Sequence, residues 1–461
     1  MASSSSVNTG ARLDRLPLSA FHRRIMWLIG LGMFFDGFDI YIASTVLGAT
    51  LKSGFSTLPQ NALFVSMTFL GMMIGSFGTG FLGDRFGRRF TYQANLALFG
   101  LASLASAFAP NMEMLIVCRF FMGIGLGAEN VVGYSTLAEF APPKERGRLQ
   151  GLMATAVVTG LPVSALLGLL LVPNFGWRVM FVIGGLGALV VWYARKKLPE
   201  SPRWLESVGR TAEAEALMAS IEREVEAEKG PLATPAAAPL STVSRKLGSL
   251  FTRHMLPRVI VGSLVLIVIN TLLYGFVTWL PTFFVKEGMT IAKSFTFALI
   301  MSFGAPIGAA IGAFTADRFG RKKMIISASV MAMIFGAIYP FVRDPNLLPV
   351  VGLALVIPVY VLVALLFGMY VPELFPTEVR LRGSGICNTF GRGATIGTPF
   401  LVVMLYTDHG VTGVLALMVA LLLLQIIVVA IFGIESSKQG LENIAAEPDN
   451  APPRTLKAAT R

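Results

Sequence analysis

Apolar runs long enough to cross a bilayer recur twelve times along the chain, and no other feature constrains the fold as much. They lie at about 23–50, 60–82, 91–110, 112–138, 149–172 and 177–194, and then at 257–285, 293–316, 323–342, 347–371, 383–406 and 411–433. A helix needs roughly 20 apolar residues to cross the hydrocarbon core. Lipid offers no partner for free backbone groups, so each run is expected to be helical. Only 14% of the residues are charged and 54% are hydrophobic, against about a quarter charged in a typical soluble domain. The expected fold class is an all-α membrane protein with twelve transmembrane helices.

The basic residues predict its orientation. Of 38 Lys and Arg, only Lys52, Arg178, Lys286, Lys293 and Arg343 fall in the loops opposite the chain ends. The positive-inside rule therefore predicts cytoplasmic termini. The net charge of +12 follows from this bias and suits anionic headgroups. The basic residues sit in loops between spans, so nucleic acid is not an expected partner. The first 20 residues are polar, and the first run is long enough to be a retained span rather than a cleaved signal. Cys118 and Cys387 fall inside spans and read as small buried hydrophobes, while His22, His254 and His409 show no metal-ligand spacing.

The chain also repeats itself. GDRFGRR (Gly83–Arg89) returns as ADRFGRK (Ala316–Lys322), and Gly71 and Gly75 return as Gly304 and Gly308, all 233 residues on. EFAPPKERGR from Glu139 returns as ELFPTEVRLRG from Glu373, 234 residues on. Two six-helix, pseudo-symmetric halves of the same topology are implied, with a substrate path at their interface. The expected divisions are a tail at 1–22, a first half at 23–194, a central loop at 195–256, a second half at 257–433 and a tail at 434–461. In the central loop, SPRWLESVGRTAEAEALMASIEREVEAEK reads as helix and GPLATPAAAPLSTVS as linker.

Ionisable groups at membrane depth are costly and mark function by default. Here they are Asp36, Asp39, Arg119, Glu129 and Arg392. Asp36 and Asp39, in FFDGFDIYIA, stand at i and i+3 and share a helix face. Desolvation and mutual repulsion disfavour ionisation of both, and a nearby Arg favours it, a combination suited to binding and releasing a proton. Glu129 lies about 15 Å along its helix from Arg119. It reads as a second proton site, a substrate contact or a structural partner. Arg392 has no acid nearby in sequence. A substrate carboxylate would complement it in bidentate geometry, and pairing with Glu129 or Asp36 is the alternative. Asn270, Tyr274, Tyr134 and Asn388 could add polar contacts to a mostly apolar pocket. Trp279, near the outer leaflet, reads as a belt residue. The matched loops carry opposite charges: Asp84, Arg85 and Arg88 with Asp317, Arg318 and Arg321, then Glu139 with Arg146, and Glu373 with Arg380 and Arg382.

These motifs resemble the major facilitator superfamily over nearly the whole length. The repeated GDRFGRR loop is specific to it, PESPRWL (Pro199–Leu205) resembles the sugar-porter and organic-ion-transporter branch, and IESSKQGLENI (Ile434–Ile444) resembles that branch's closing motif. DGFD in the first run is similar to the aromatic acid:proton symporters and nicotinate-type carriers. The resemblance implies pairing of Asp39 with Arg119 for proton coupling, an anion-binding Arg at position 392, and a terminal-side gate locked by the loop charges. It implies a monomeric transporter rather than an enzyme, with a small carboxylate as substrate, the proton as coupling ion and no other cofactor. The seventh run lacks a Gln pair and carries Asn270 instead, which counts against a sugar. A sugar or polyol porter and a proton antiporter exporting drugs or metabolites are the alternatives.

Overall fold

A computed structural model of the protein describes residues 8–142, 145–235, 251, 253, 255–342, 344–375 and 380–435, apart from some side chains within them. Every regular element among these residues is helical. After α1 (Thr9–Asp14) come α2 (Ala20–Lys52), α3 (Leu58–Phe86), α4 (Arg88–Ala107), α5 (Met112–Phe140), α6 (Arg146–Phe175) and α7 (Arg178–Ala194). Two short helices follow, α8 (Pro202–Ser207) and α9 (Thr211–Lys229). The second half contains α10 (Leu256–Gly275), α11 (Leu280–Lys286), α12 (Ile291–Ser302), α13 (Gly304–Phe319), α14 (Arg321–Ile338), α15 (Leu347–Leu365), α16 (Val371–Glu373) and α17 (Arg380–Phe432).

Ten described segments are long and apolar enough to count as spans, and two details reconcile this with twelve runs. α4 opens with RRFTYQAN, which lowers its mean hydropathy. α17 runs through two spans and is broken at Gly410, where φ 63° and ψ −159° are not helical. Three other spans are interrupted. α10 and α11 join through a 3₁₀ turn at Val277–Trp279, α12 and α13 meet at Phe303, and α15 passes through a π-helical turn at Leu366–Tyr370 before α16. Pro281 and Pro372 sit at the first turns of α11 and α16, where a missing N–H costs least.

Two large apolar clusters form the core, one mostly from each half, and each takes in residues of the other half. The repeat glycines set the closest approach. A Cβ at Gly75 would run into the Ile124 carbonyl of α5, and one at Gly308 into the Ile357 carbonyl of α15. The same small-residue contact is therefore used at equivalent places in both halves. Direct contacts join the two halves. Tyr360 Oη donates to Tyr41 Oη at 3.2 Å, and Ser66 Oγ donates to the Ile396 carbonyl at 2.6 Å. Gly48 backs onto Pro281. Trp279 is fully buried and stacked on Phe283, 6.2 Å between centroids, so it is a core residue and not a lipid-facing belt residue.

The first and last described residues and the α8–α9 segment share one face, called the terminal face below. α9 is tied there by charge. Arg12 and Arg15 reach Glu222 at 2.6 and 2.5 Å, Arg24 reaches Glu224 at 3.0 Å, and Arg23 reaches Glu228 at 3.3 Å. The backbone N–H of Ala20, which opens α2, donates to Glu228 at 2.6 Å. Burial pushes the Glu222 carboxyl up, but hydrogen bonds from Arg12 and Arg15 outweigh it and hold it below the usual carboxylate range.

Candidate functional site

Five charged side chains are buried in the first half: Asp36, Asp39, Arg119, Glu129 and Arg195, none more than 1% exposed. They form two ion pairs and leave one carboxyl over. Arg119 of α5 reaches across to α2, where Nη1 donates to Asp39 Oδ2 at 2.5 Å and Nη2 to the Asp39 carbonyl at 2.9 Å. Its Nε donates to Thr68 Oγ1 of α3 at 3.0 Å, and its plane lies 5.1 Å from the Phe64 ring centroid. One guanidinium thus ties three helices. Asp39 Oδ1 has no hydrogen-bond partner. Arg119 borders a void of about 10 Å³, room for one water. Val65, Thr68, Phe69, Tyr274 and Thr278 complete much of its wall.

The second pair joins Glu129 of α5 to Arg195, just past the end of α7. Arg195 also donates through Nε to the Leu28 carbonyl and through Nη2 to the Ile29 carbonyl, each at 2.8 Å, and lies over the Tyr92 ring at 4.7 Å. The guanidinium fits against α2 because residue 32 is glycine: a Cβ there would occupy the place of Arg195 Nη2. Arg195 was not identifiable from the sequence, where it reads as the first basic residue of a loop. The one signal was indirect, since a buried Glu129 requires a cation. Asp36 stands between the two pairs, with Glu129, Arg195 and Asp39 as its charged neighbours. Neither of its carboxyl oxygens has a hydrogen-bond partner.

The second half contributes Arg392 of α17, whose Nη1 donates to Ser76 Oγ of α3 at 3.1 Å. Among the described residues no carboxylate pairs with it, so the expected alternative partners Glu129 and Asp36 are not its partners. The neutral Tyr274 lies near it, and the Tyr274 ring packs edge-on to Phe69, 4.3 Å between centroids. Arg392, Tyr274 and Phe69 therefore come together across the two halves. The other expected pocket residues are placed differently. Asn270 is buried and donates to its own helix at the Leu266 carbonyl, under Gly391 of α17. Asn388 donates back to Ser384. Tyr134 lies near Asp36.

On the terminal face the loop charges pair within each half. Arg88 meets Glu139 at 3.1 Å, and Arg321 meets Glu373 at 3.2 Å. Glu200 accepts from the backbone N–H of Arg88 at 2.9 Å, and Glu435 from that of Arg321 at 2.8 Å. Each glutamate thus caps a helix N-terminus, at α4 and α14, where the exposed N–H groups favour an anion. Arg85 and Arg318 are exposed, with Arg85 lying 5.4 Å from the Phe86 ring. The side chains of Asp84, Arg146, Asp317, Arg380 and Arg382 lie outside the described residues.

Comparison with known proteins places this arrangement. The family model described as sugar (and other) transporter matches residues 26–447. The chain is 37% identical over 442 residues to the inner membrane metabolite transport protein YdjE of Escherichia coli K12, covering 95% of this chain and 98% of that one. It is 32% identical over 443 residues to the niacin transporter NiaP of Acinetobacter baylyi, covering 94% and 99%. The proton:xylose symporter XylE, solved with 6-bromo-6-deoxy-D-glucose, has the same fold, with a TM-score of 0.69 at 18% identity over 92% of this chain and 98% of that one. The protein is a multi-pass membrane transporter for a small molecule, not an enzyme, and it belongs to the sugar (and other) transporter family of the major facilitator superfamily.

Proposed function

We propose that the protein is a proton-coupled symporter for a small organic anion, an aromatic or heteroaromatic monocarboxylate such as a benzoate-like acid or nicotinate. The observation that carries this reading is Arg392, a cation at the interface of the halves with no carboxylate partner among the described residues. It stands beside the Tyr274–Phe69 aromatic pair. A guanidinium next to ring faces fits a planar acid better than a neutral polyol. The similarity to a relative named as a niacin transporter supports the same class.

The void beside Arg119 is too small for such a ligand, so substrate entry requires the halves to separate. In the proposed cycle Asp39 takes a proton while the site faces outward and Arg119 is withdrawn. The anion then binds at Arg392, and the added proton offsets its charge as the halves rock. Approach of Arg119 to Asp39, the arrangement seen here, releases the proton inward. The terminal face is assigned to the cytoplasm of a bacterial inner membrane, and the Arg88 and Arg321 clusters to the gate that opens there. The transporter works as a monomer in this reading.

Ligand stabilisation of purified protein tests the substrate class. Nicotinate or benzoate should raise Tm and xylose should not, and Arg392→Ala should remove the response. Stabilisation by xylose alone, unaffected by Arg392→Ala, would overturn the organic-anion reading.

A further inference from the structure

The buried charges of the first half do not balance around Asp39 alone. Three carboxyls, Asp36, Asp39 and Glu129, face two guanidiniums, Arg119 and Arg195. Arg119 is committed to Asp39 and Thr68, and Arg195 to Glu129 and two carbonyls of α2. The remaining carboxyl, Asp36, is 1% exposed and accepts no hydrogen bond. A buried carboxylate without a hydrogen bond or a counter-ion is strongly disfavoured, and taking up a proton removes the charge. Arg195 still has N–H groups to give: a guanidinium carries five and three are used here. Glu129 Oε2 likewise has no partner.

We propose that Asp36, Glu129 and Arg195 form a second proton-binding centre, distinct from the Asp39–Arg119 pair and about 4.5 Å nearer the terminal face along α2. One proton resides on Asp36 while Arg195 is held by Glu129. When the O–H bond of Asp36 breaks, the proton passes to water on the terminal side. Arg195 then serves both carboxylates, turning a free N–H of its guanidinium to Asp36. Bound, the cluster is neutral; released, it carries one negative charge. The groups facing Asp36 are Glu129 and Tyr134 from α5, Arg195 from the end of α7, and Asp39 on its own helix. α6 meets α2 nearby through the Val157 backbone against Gly37. Gly32 is what allows the cation to sit so close to α2. The site serves the proton-coupled reading above, but its chemistry is independent of which substrate is carried.

The test uses the full-length protein in nanodiscs without substrate, by infrared difference spectroscopy of the protonated-carboxyl C=O band as pH is stepped. The wild type should show a band that Asp36→Asn removes. Glu129→Gln leaves Arg195 free for Asp36 and should move the titration to lower pH by about one unit, whereas Arg195→Gln should move it higher by a similar amount. A merely structural pair would not shift it in opposite directions. Arg195→Lys retains the charge and should titrate near the wild type, which covers failure of Arg195→Gln to fold. A band unchanged by Asp36→Asn, or shifts of the same sign in the Glu129 and Arg195 variants, would overturn the proposal. Failure of nicotinate or benzoate to bind or move would count against the proposed substrate and leave this result standing.

Discussion

The two halves share a scaffold and differ in what they bury. On the terminal face they are nearly copies: Arg88, Glu139 and Glu200 in one half are matched by Arg321, Glu373 and Glu435 in the other, with the same pairs and the same capped helix starts. Gly75 and Gly308 make the same close approach. Inside, the correspondence ends. Counting the 233-residue spacing from Asp36 and Asp39 arrives at Ile269 and Leu272, both in the apolar core. Among the described residues the three buried carboxyls all belong to the first half, and the second offers Arg392. The frame repeats while the interiors differ, and the proposed function assigns protons to one half and the anion to the other. That division of labour is the reading to be tested.

The largest expected effect comes from breaking the best-connected pair. Arg119→Ala strands the Asp39 carboxylate and empties three hydrogen bonds, a loss of about 3–5 kcal/mol that should appear as a large fall in Tm. No fall would mean that the pair is not what joins α2, α3 and α5. Next is Arg392→Ala, which should weaken nicotinate binding by roughly 10- to 100-fold, the equivalent of about 1.5–3 kcal/mol for a charged hydrogen bond, with little change in Tm. Isothermal titration separates this from a variant that loses both.

The terminal-face clusters should give smaller and matched effects. Arg88→Ala and Arg321→Ala each remove a partly exposed pair, for which about 1 kcal/mol or less is expected. Unequal changes in Tm would show that the copied geometry hides unequal work. The smallest effect concerns α9. Its Glu222 is held below the usual carboxylate range, so its contribution is fully present above its unfolded value and is lost as pH falls through the folded one. A spin-label distance between α9 and α1 should therefore be constant near neutral pH and lengthen only in acid. Lengthening between pH 6 and 8 would contradict the assignment.

Most of the frame was legible in the sequence because hydropathy and repetition are properties of long segments. Twelve runs and one spacing are enough to predict two six-helix halves, and the breaks at Gly410 and Trp279 do not disturb them. The site was legible only where a charge stood inside a run. Asp39 with Arg119 could be paired through the family resemblance. Arg195 could not be found, because a basic residue ending a span normally faces water, and only the folded position of Gly32 and Glu129 shows it buried. Ser76, the partner of Arg392, is a hydroxyl in an apolar helix and carries no signal. Asn270 stands out in the sequence as an amide within a span, and here its NH2 group donates to its own helix.

The most direct test of the account is uptake of radiolabelled nicotinate into proteoliposomes with an imposed pH gradient. The wild type should accumulate nicotinate against its concentration gradient when the side opposite the terminal face is acid, and Asp39→Asn should lose accumulation while still exchanging nicotinate across the membrane. Accumulation by Asp39→Asn equal to the wild type, or wild-type uptake indifferent to the gradient, would contradict proton coupling at this site.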